Sequence, residues 1–260
     1  MLAKAIKAVV RQTFPQSYQR SQEALTRYRL SRVTRLLARR HGLVVQSGPF
    51  KGMKYVSQAI CSSLAPKLLG SYEAELHEAL TQIIAANYET VIDIGCAEGY
   101  YAVGLALQLP NARMYAFDID SRARELCNTL AMTNDVSERV SVEGECGHER
   151  LQTLTSGRAL IVCDCEGCEL GLLDPSLIPG LRTSDLLVEL HDMVDASISK
   201  TIVERFAPTH EITLIDSADR NPSLFPALRD FSPATQRTAV AEFRGEMMQW
   251  AYMRARAFAD

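Results

Sequence analysis

The chain has 260 residues, of which 47% are hydrophobic and 23% charged, with a formal net charge of −3. That is enough for one sizeable core, and the balance is ordinary for a globular protein. No apolar run approaches the roughly 20 residues of a membrane span, and the apolar stretch after Met1 is too short for a signal peptide.

Charge is spread unevenly. Residues 1–54 hold 12 Lys/Arg and one acid, Glu23, a net of +11; the remainder holds 16 basic and 30 acidic residues, a net of −14. Such a segment suits nucleic acid, anionic lipid or an acidic carrier, or else packs on the chain's own acidic part or that of a second subunit. No stacking aromatics interleave with its arginines as an RNA groove would want, so nucleic acid is not favoured. The seven cysteines are odd in number and lie mostly in strand-like runs, which reads as reduced thiols in a cytoplasmic protein.

In chain order, residues 1–40 read as helical, with Pro15 dividing a short amphipathic piece from a longer one. In the longer piece Leu25, Tyr28, Val33, Leu36 and Leu37 fall near helical spacing. Residues 43–60 look like a hairpin, and a helix opens near Ser71 with Leu76, Leu80, Ile83 and Ile84 as its apolar face. Residues 1–70 are thus expected to form a basic extension and 71–260 the main domain. Strands are predicted near 91–95, 113–119, 140–144, 159–165, 185–191 and 210–216, with helices between, the pattern of a mostly parallel sheet covered on both faces. A seventh strand is expected at Thr238–Phe243 and a packed helix at 246–258. The three prolines between Arg220 and Pro233 forbid regular structure there, leaving a substrate-facing flap or surface padding.

The run from Val91 to Leu107 is the most informative. A β-rich stretch, the turn Gly95-Cys-Ala-Glu-Gly99 and an apolar helix make a strand–turn–helix unit that can present a helix start to a nucleotide-like ligand. Ala97 stands where a dinucleotide site wants glycine, and no P-loop Lys-Ser/Thr pair follows. About twenty residues on, Phe117-Asp-Ile-Asp120 ends the second strand with two carboxylates. Asp118 is the better acceptor for ribose hydroxyls; Asp120 is the fallback, or a helix cap.

The order Asp93, Gly95, Gly99, Asp118 resembles the cofactor site of class I S-adenosylmethionine-dependent methyltransferases. Cys163-Asp-Cys-Glu-Gly-Cys-Glu169 and Glu189-Leu-His191 resemble the fourth- and fifth-strand signatures of the FkbM-type branch, and Asn128 and Asn134 fit its second-strand region loosely. The resemblance spans about residues 71–192 and departs from the family pattern at Cys96-Ala97-Glu98. It implies a Rossmann-like, doubly wound seven-stranded sheet of order 3-2-1-4-5-7-6, S-adenosylmethionine as cofactor, and O-methylation of a small molecule or glycan. RNA or protein methylation through the basic segment, or a non-catalytic scaffold, are the alternatives.

Asp93, Gly95, Gly99, Asp118, Glu145 and Asp164 are the expected cofactor contacts, with His148 a second candidate beside the adenine. Among the catalytic candidates, His191 suits a general base, with Asp164 and Glu166 beside it; a strand-end structural role is the alternative. Asp164, Glu166 and Glu189 could also hold Mg²⁺ or Mn²⁺, a reading not favoured because acidic strand ends are common without metal. Zinc at Cys163, Cys165 and Cys168 is disfavoured for want of a fourth ligand.

Overall fold

The protein, described from a computed structural model, is placed over residues 15–242 and 248–256. Its centre is a seven-stranded sheet of order β3-β2-β1-β4-β5-β7-β6. The strands are β1 Thr90–Ile94, β2 Arg113–Phe117, β3 Val140–Glu143, β4 Leu160–Cys163, β5 Asp185–Leu190, β6 His210–Asp216 and β7 Gln249–Ala255. All are parallel except β7, which runs antiparallel between β5 and β6. The expected order is therefore observed, but its seventh member is misplaced. Thr238 lies in a helix, Pro233–Val240, and the segment read as a terminal helix supplies β7. Trp250, Ala251, Tyr252 and Met253 are all buried, so a strand covered on both faces looks uniformly apolar and mimics a buried helix. The expected strand end at Phe243 lies outside the described residues.

Helices cover both faces. Numbered in chain order they are α1 Pro15–His41, α2 Leu64–Leu69, α3 His77–Ala86, α4 Tyr100–Gln108, α5 Ser121–Thr133, α6 His148–Leu154, α7 Glu169–Leu172, α8 Ile198–Phe206 and α9 Pro233–Val240. Because side chains alternate along a strand, Val91, Val162 and Leu187 pack with α3, α4 and α5 through Leu80, Leu105 and Leu130. Ile92, Ile161 and Val188 face α6, α7 and α8 through Leu151, Leu172 and Ile202.

The basic segment divides in two. Phe50, Met53, Tyr55 and Val56 join the main core, and the predicted hairpin shrinks to one bridge between Val44 and Lys54. Helix α1 packs separately, through Val33 and Leu37, on Ala65, Leu69, Leu228, Ala239 and Val240. Leu25, Tyr28 and Leu36, expected on the packed face, are exposed. Val33 and Leu37, one turn apart, mark the packed side, and the other three project away from it. The 220–233 stretch contributes Leu228 to this packing, is otherwise exposed or half-buried, and supplies none of the residues lining the main cleft, which fits surface padding rather than a flap. Arg220 anchors it by ion pairs to Glu75 and Glu242. No described helix is long and apolar enough to cross a membrane.

Candidate active site

A cavity of about 1060 Å³ opens beyond the carboxyl ends of β1, β2, β4 and β5, where a doubly wound sheet offers its ligand site. One end is built by the β1–α4 turn. Gly95 has φ +84, and a Cβ there would stand 1.7 Å from the Asp164 carbonyl oxygen, so only glycine lets β1 and β4 close together. Ala97 also takes a left-handed φ of +47. Asp118 holds it there, Oδ2 accepting from the Ala97 N–H at 2.9 Å while Oδ1 accepts from the Asp120 N–H at 2.8 Å. Asp120 caps α5, accepting from the Arg122 N–H at 2.8 Å.

Gly95, Asp118, Asp120, Glu145, His148 and Asp164 line the cavity; Asp93 and Gly99, both expected to touch the cofactor, do not. Asp93 is buried behind the turn, where its carboxylate accepts from the Ala102 N–H at 2.9 Å and pins the first turn of α4. Burial pushes its pKa up to about 7, against the opposing pull of that hydrogen bond. Gly99 is packed on α5, where a Cβ would lie 2.7 Å from the Cys127 sulfur. Sequence spacing locates such residues near the turn but not on which side of it.

At the other end, β4 and β5 deliver a carboxylate cage around His191. Glu169 Oε1 lies 2.5 Å from His191 Nδ1. Asp164, Glu189 and Glu166 oxygens lie 3.4, 3.6 and 3.7 Å from Nε2. Glu166 sits at φ +55 and Gly167 at φ +109, the sharp bend that turns the chain from β4 into α7. Burial would lower the pKa of His191, but hydrogen bonds and charges from Asp164 and Glu169 outweigh it and push it up to about 10. The imidazole therefore carries its proton at neutral pH. A free base with the ordinary histidine pKa is not what this cage produces. Asp164, Glu166 and His191 also bring one donor atom each within 4.8 Å of one another, a spacing that a divalent cation could use.

Cys165 and Cys168 form a disulfide across that bend, and the buried Cys163 sulfur lies 3.6 Å from that of Cys165. The expectation of seven reduced thiols is corrected accordingly. The same bond removes two sulfurs from any zinc site, since a metal binds thiolates.

Several lining residues were not singled out from sequence. Lys67 and Tyr72 enter from α2 and the segment after it, and Ile119 is 83% exposed beside Asp118. Glu98, which departs from the family pattern, faces away from the cleft. It is fully buried and accepts from Tyr55 Oη, the Ile60 N–H and Lys67 Nζ at 2.7, 2.9 and 2.6 Å. Burial alone would raise its pKa; Lys67 and these bonds bring it below the usual carboxylate value. Glu98 thereby ties the wall formed by residues 55–67 to the β1–α4 turn. A lone Glu in a glycine turn, with its partners some forty and thirty residues upstream, carries no local signal of this role.

A family model described as O-methyltransferase matches residues 53–166, from that wall through the turn after β4. No curated protein matches the sequence. Among solved structures, TomG of Streptomyces achromogenes, an O-methyltransferase of tomaymycin synthesis in complex with SAM, is 14% identical, covering 87% of this chain and 90% of that one at a TM-score of 0.47. A Bacillus cereus O-methyltransferase in complex with SAH is 14% identical over 96% and 97% at 0.45. An rRNA methylase of Streptococcus thermophilus is 12% identical over 70% and 96% at 0.48. Likenesses so distant do not choose an acceptor. The family match covers 114 of the 260 residues and, with the sheet order observed here, supports S-adenosylmethionine-dependent methyl transfer as the activity of this chain.

Proposed function

We propose that the protein transfers a methyl group from S-adenosylmethionine to a hydroxyl of a small molecule or glycan, as a member of the FkbM-type branch. One observation carries the cofactor assignment. The cleft is lined by the carboxylates of Asp118, Asp120, Glu145, Asp164, Glu166, Glu189 and Glu242. Its one Lys or Arg among the described residues, Lys67, is paired with Glu98. The N–H groups of Gly95 and Cys96 bond to the Phe117 carbonyl, and that of Ala97 to Asp118. Pyrophosphate would meet repulsion and few free donors, whereas a cationic sulfonium meets a complementary field.

In this reading Asp118 would accept the ribose hydroxyls, Ile119 would pack on the adenine, and Glu145 or His148 would contact its edge. When bound, the cofactor would supply an electrophilic methyl on a positively charged sulfur, its C–S bond breaking as the acceptor oxygen forms the new O–C bond. At the acceptor end one of the Asp164 and Glu166 carboxylates takes the single hydroxyl proton, and the His191 imidazolium beside them balances their charge. General acid–base help of this kind contributes on the order of 10²–10⁴-fold, beside the larger effect of in-line positioning. We read the cage as working without a metal, because its four carboxylates already pair with His191.

The test is transfer of a labelled methyl group to a metabolite extract and to purified RNA, with mass identification of the product. A methylated hydroxyl compound is expected, unaffected by chelator. Transfer to RNA alone, lost when residues 1–54 are removed, would replace this reading with the docking-arm one. Absence of cofactor binding in calorimetry would leave only a scaffold.

A further inference from the structure

Of the carboxylates around His191, three approach the same ring nitrogen and one does not. Asp164, Glu166 and Glu189 all lie on the Nε2 side, at 3.4–3.7 Å, longer contacts than the one at the opposite nitrogen. Glu169 alone holds Nδ1, at 2.5 Å. It opens the short helix α7, is fully buried, and is absent from the cavity wall. Among the described residues its Oε2 has no hydrogen-bond partner, and Oε1 also accepts a long bond, 3.4 Å, from the Gly167 N–H.

A carboxylate in that position is expensive. Removing it from water costs several kcal/mol, recovered only through a well-placed partner. Leu172, Leu173 and Cys163 pack in the same core layer, so an apolar side chain would serve packing better. The role that fits is directed at the imidazole.

We propose that Glu169 is the positioning residue of the acceptor end: its buried carboxylate holds the His191 ring by Nδ1 and so turns Nε2 toward Asp164 and Glu166 in the cleft. The proposal rests on the reading of those residues as the acceptor-side machinery. It adds a residue that does not touch substrate. A ring held at one nitrogen has a defined plane, and its charge then sits at a fixed place beside the two proton-accepting carboxylates.

The experiment uses the full chain and follows the ¹⁵N signals of the His191 ring through a pH titration, beside calorimetry with S-adenosylhomocysteine. E169Q keeps the shape and removes the charge. Its His191 midpoint should fall by about one pH unit or more, with S-adenosylhomocysteine affinity unchanged. E169D, which keeps the charge on a shorter arm, should recover part of that shift. A midpoint in E169Q equal to that of the wild type would overturn the proposal. Should E169Q fail to fold, the wild type still decides. Its Nδ1 proton should resonate far downfield and stay protected from exchange at pH 8, and a freely exchanging proton would overturn the proposal. These readouts need no acceptor, so a failure to find methyl transfer would sink the function while leaving the ring measurement to judge Glu169.

Discussion

In the proposed reading Asp118 serves both the cofactor ribose and the turn geometry, and replacing it tests each by its own measurement. Its Oδ2 and Oδ1 accept from the Ala97 and Asp120 N–H groups at 2.9 and 2.8 Å, and Ala97 is held at φ +47. Asp118→Ala removes both bonds. Charge-assisted bonds contribute about 1.5–3 kcal/mol each when buried, but water can replace the carboxylate at this half-buried site. A stability loss of about 1–2 kcal/mol follows, a fall in Tm of roughly 2–8 °C for a chain of this size. The affinity loss should be larger. Two ribose hydroxyls lose a charged acceptor, about 2–3 kcal/mol or roughly 30- to 150-fold in Kd. Calorimetry with S-adenosylhomocysteine and a thermal scan on one preparation measure both. Asp120→Ala is the control: it removes the cap on Arg122 N, costs about 1 kcal/mol, and should leave affinity alone. Wild-type affinity in Asp118→Ala, or an equal loss in Asp120→Ala, would refute the assignment of the ribose to Asp118.

Three further outcomes are expected. Gly95→Ala places a Cβ 1.7 Å from the Asp164 carbonyl at φ +84; it should cost about 3 kcal/mol or more, and an unchanged denaturant midpoint would contradict the close approach of β1 and β4. His191 has its folded pKa raised from 6.5 to about 10. Its contribution to stability is therefore fully present below pH 6.5 and lost as pH rises toward 10, so unfolding free energy should decline across that window. In His191→Gln that decline should flatten, and identical pH profiles would count against the raised pKa. Finally, with Cys165 bonded to Cys168, alkylation of the unfolded chain should modify five cysteines without reductant and seven with it, as read by mass; seven in both would show the bond absent.

Much of this architecture was legible because its signals are local. The strand–turn–helix unit at Val91–Leu107 and the carboxylate at the end of β2 depend on neighbours in sequence, and six strands fell close to their expected places. What escaped depends on partners far along the chain. β7 was read as a helix because burial on both faces erases the alternation that marks a strand. Asp93 was assigned to the ligand although it faces Ala102, since spacing along a turn does not say which side of the sheet a side chain takes. The protonation of His191 is of the same kind. Its neighbours Asp164, Glu166 and Glu169 lie more than twenty residues upstream. A histidine that reads as a base from its own pKa becomes a cation once four carboxylates close around it. The charge state of this cage is thus a property of the β4–β5 pairing that assembles it, and a mutation that loosens that pairing should return His191 toward its ordinary pKa before it unfolds the sheet.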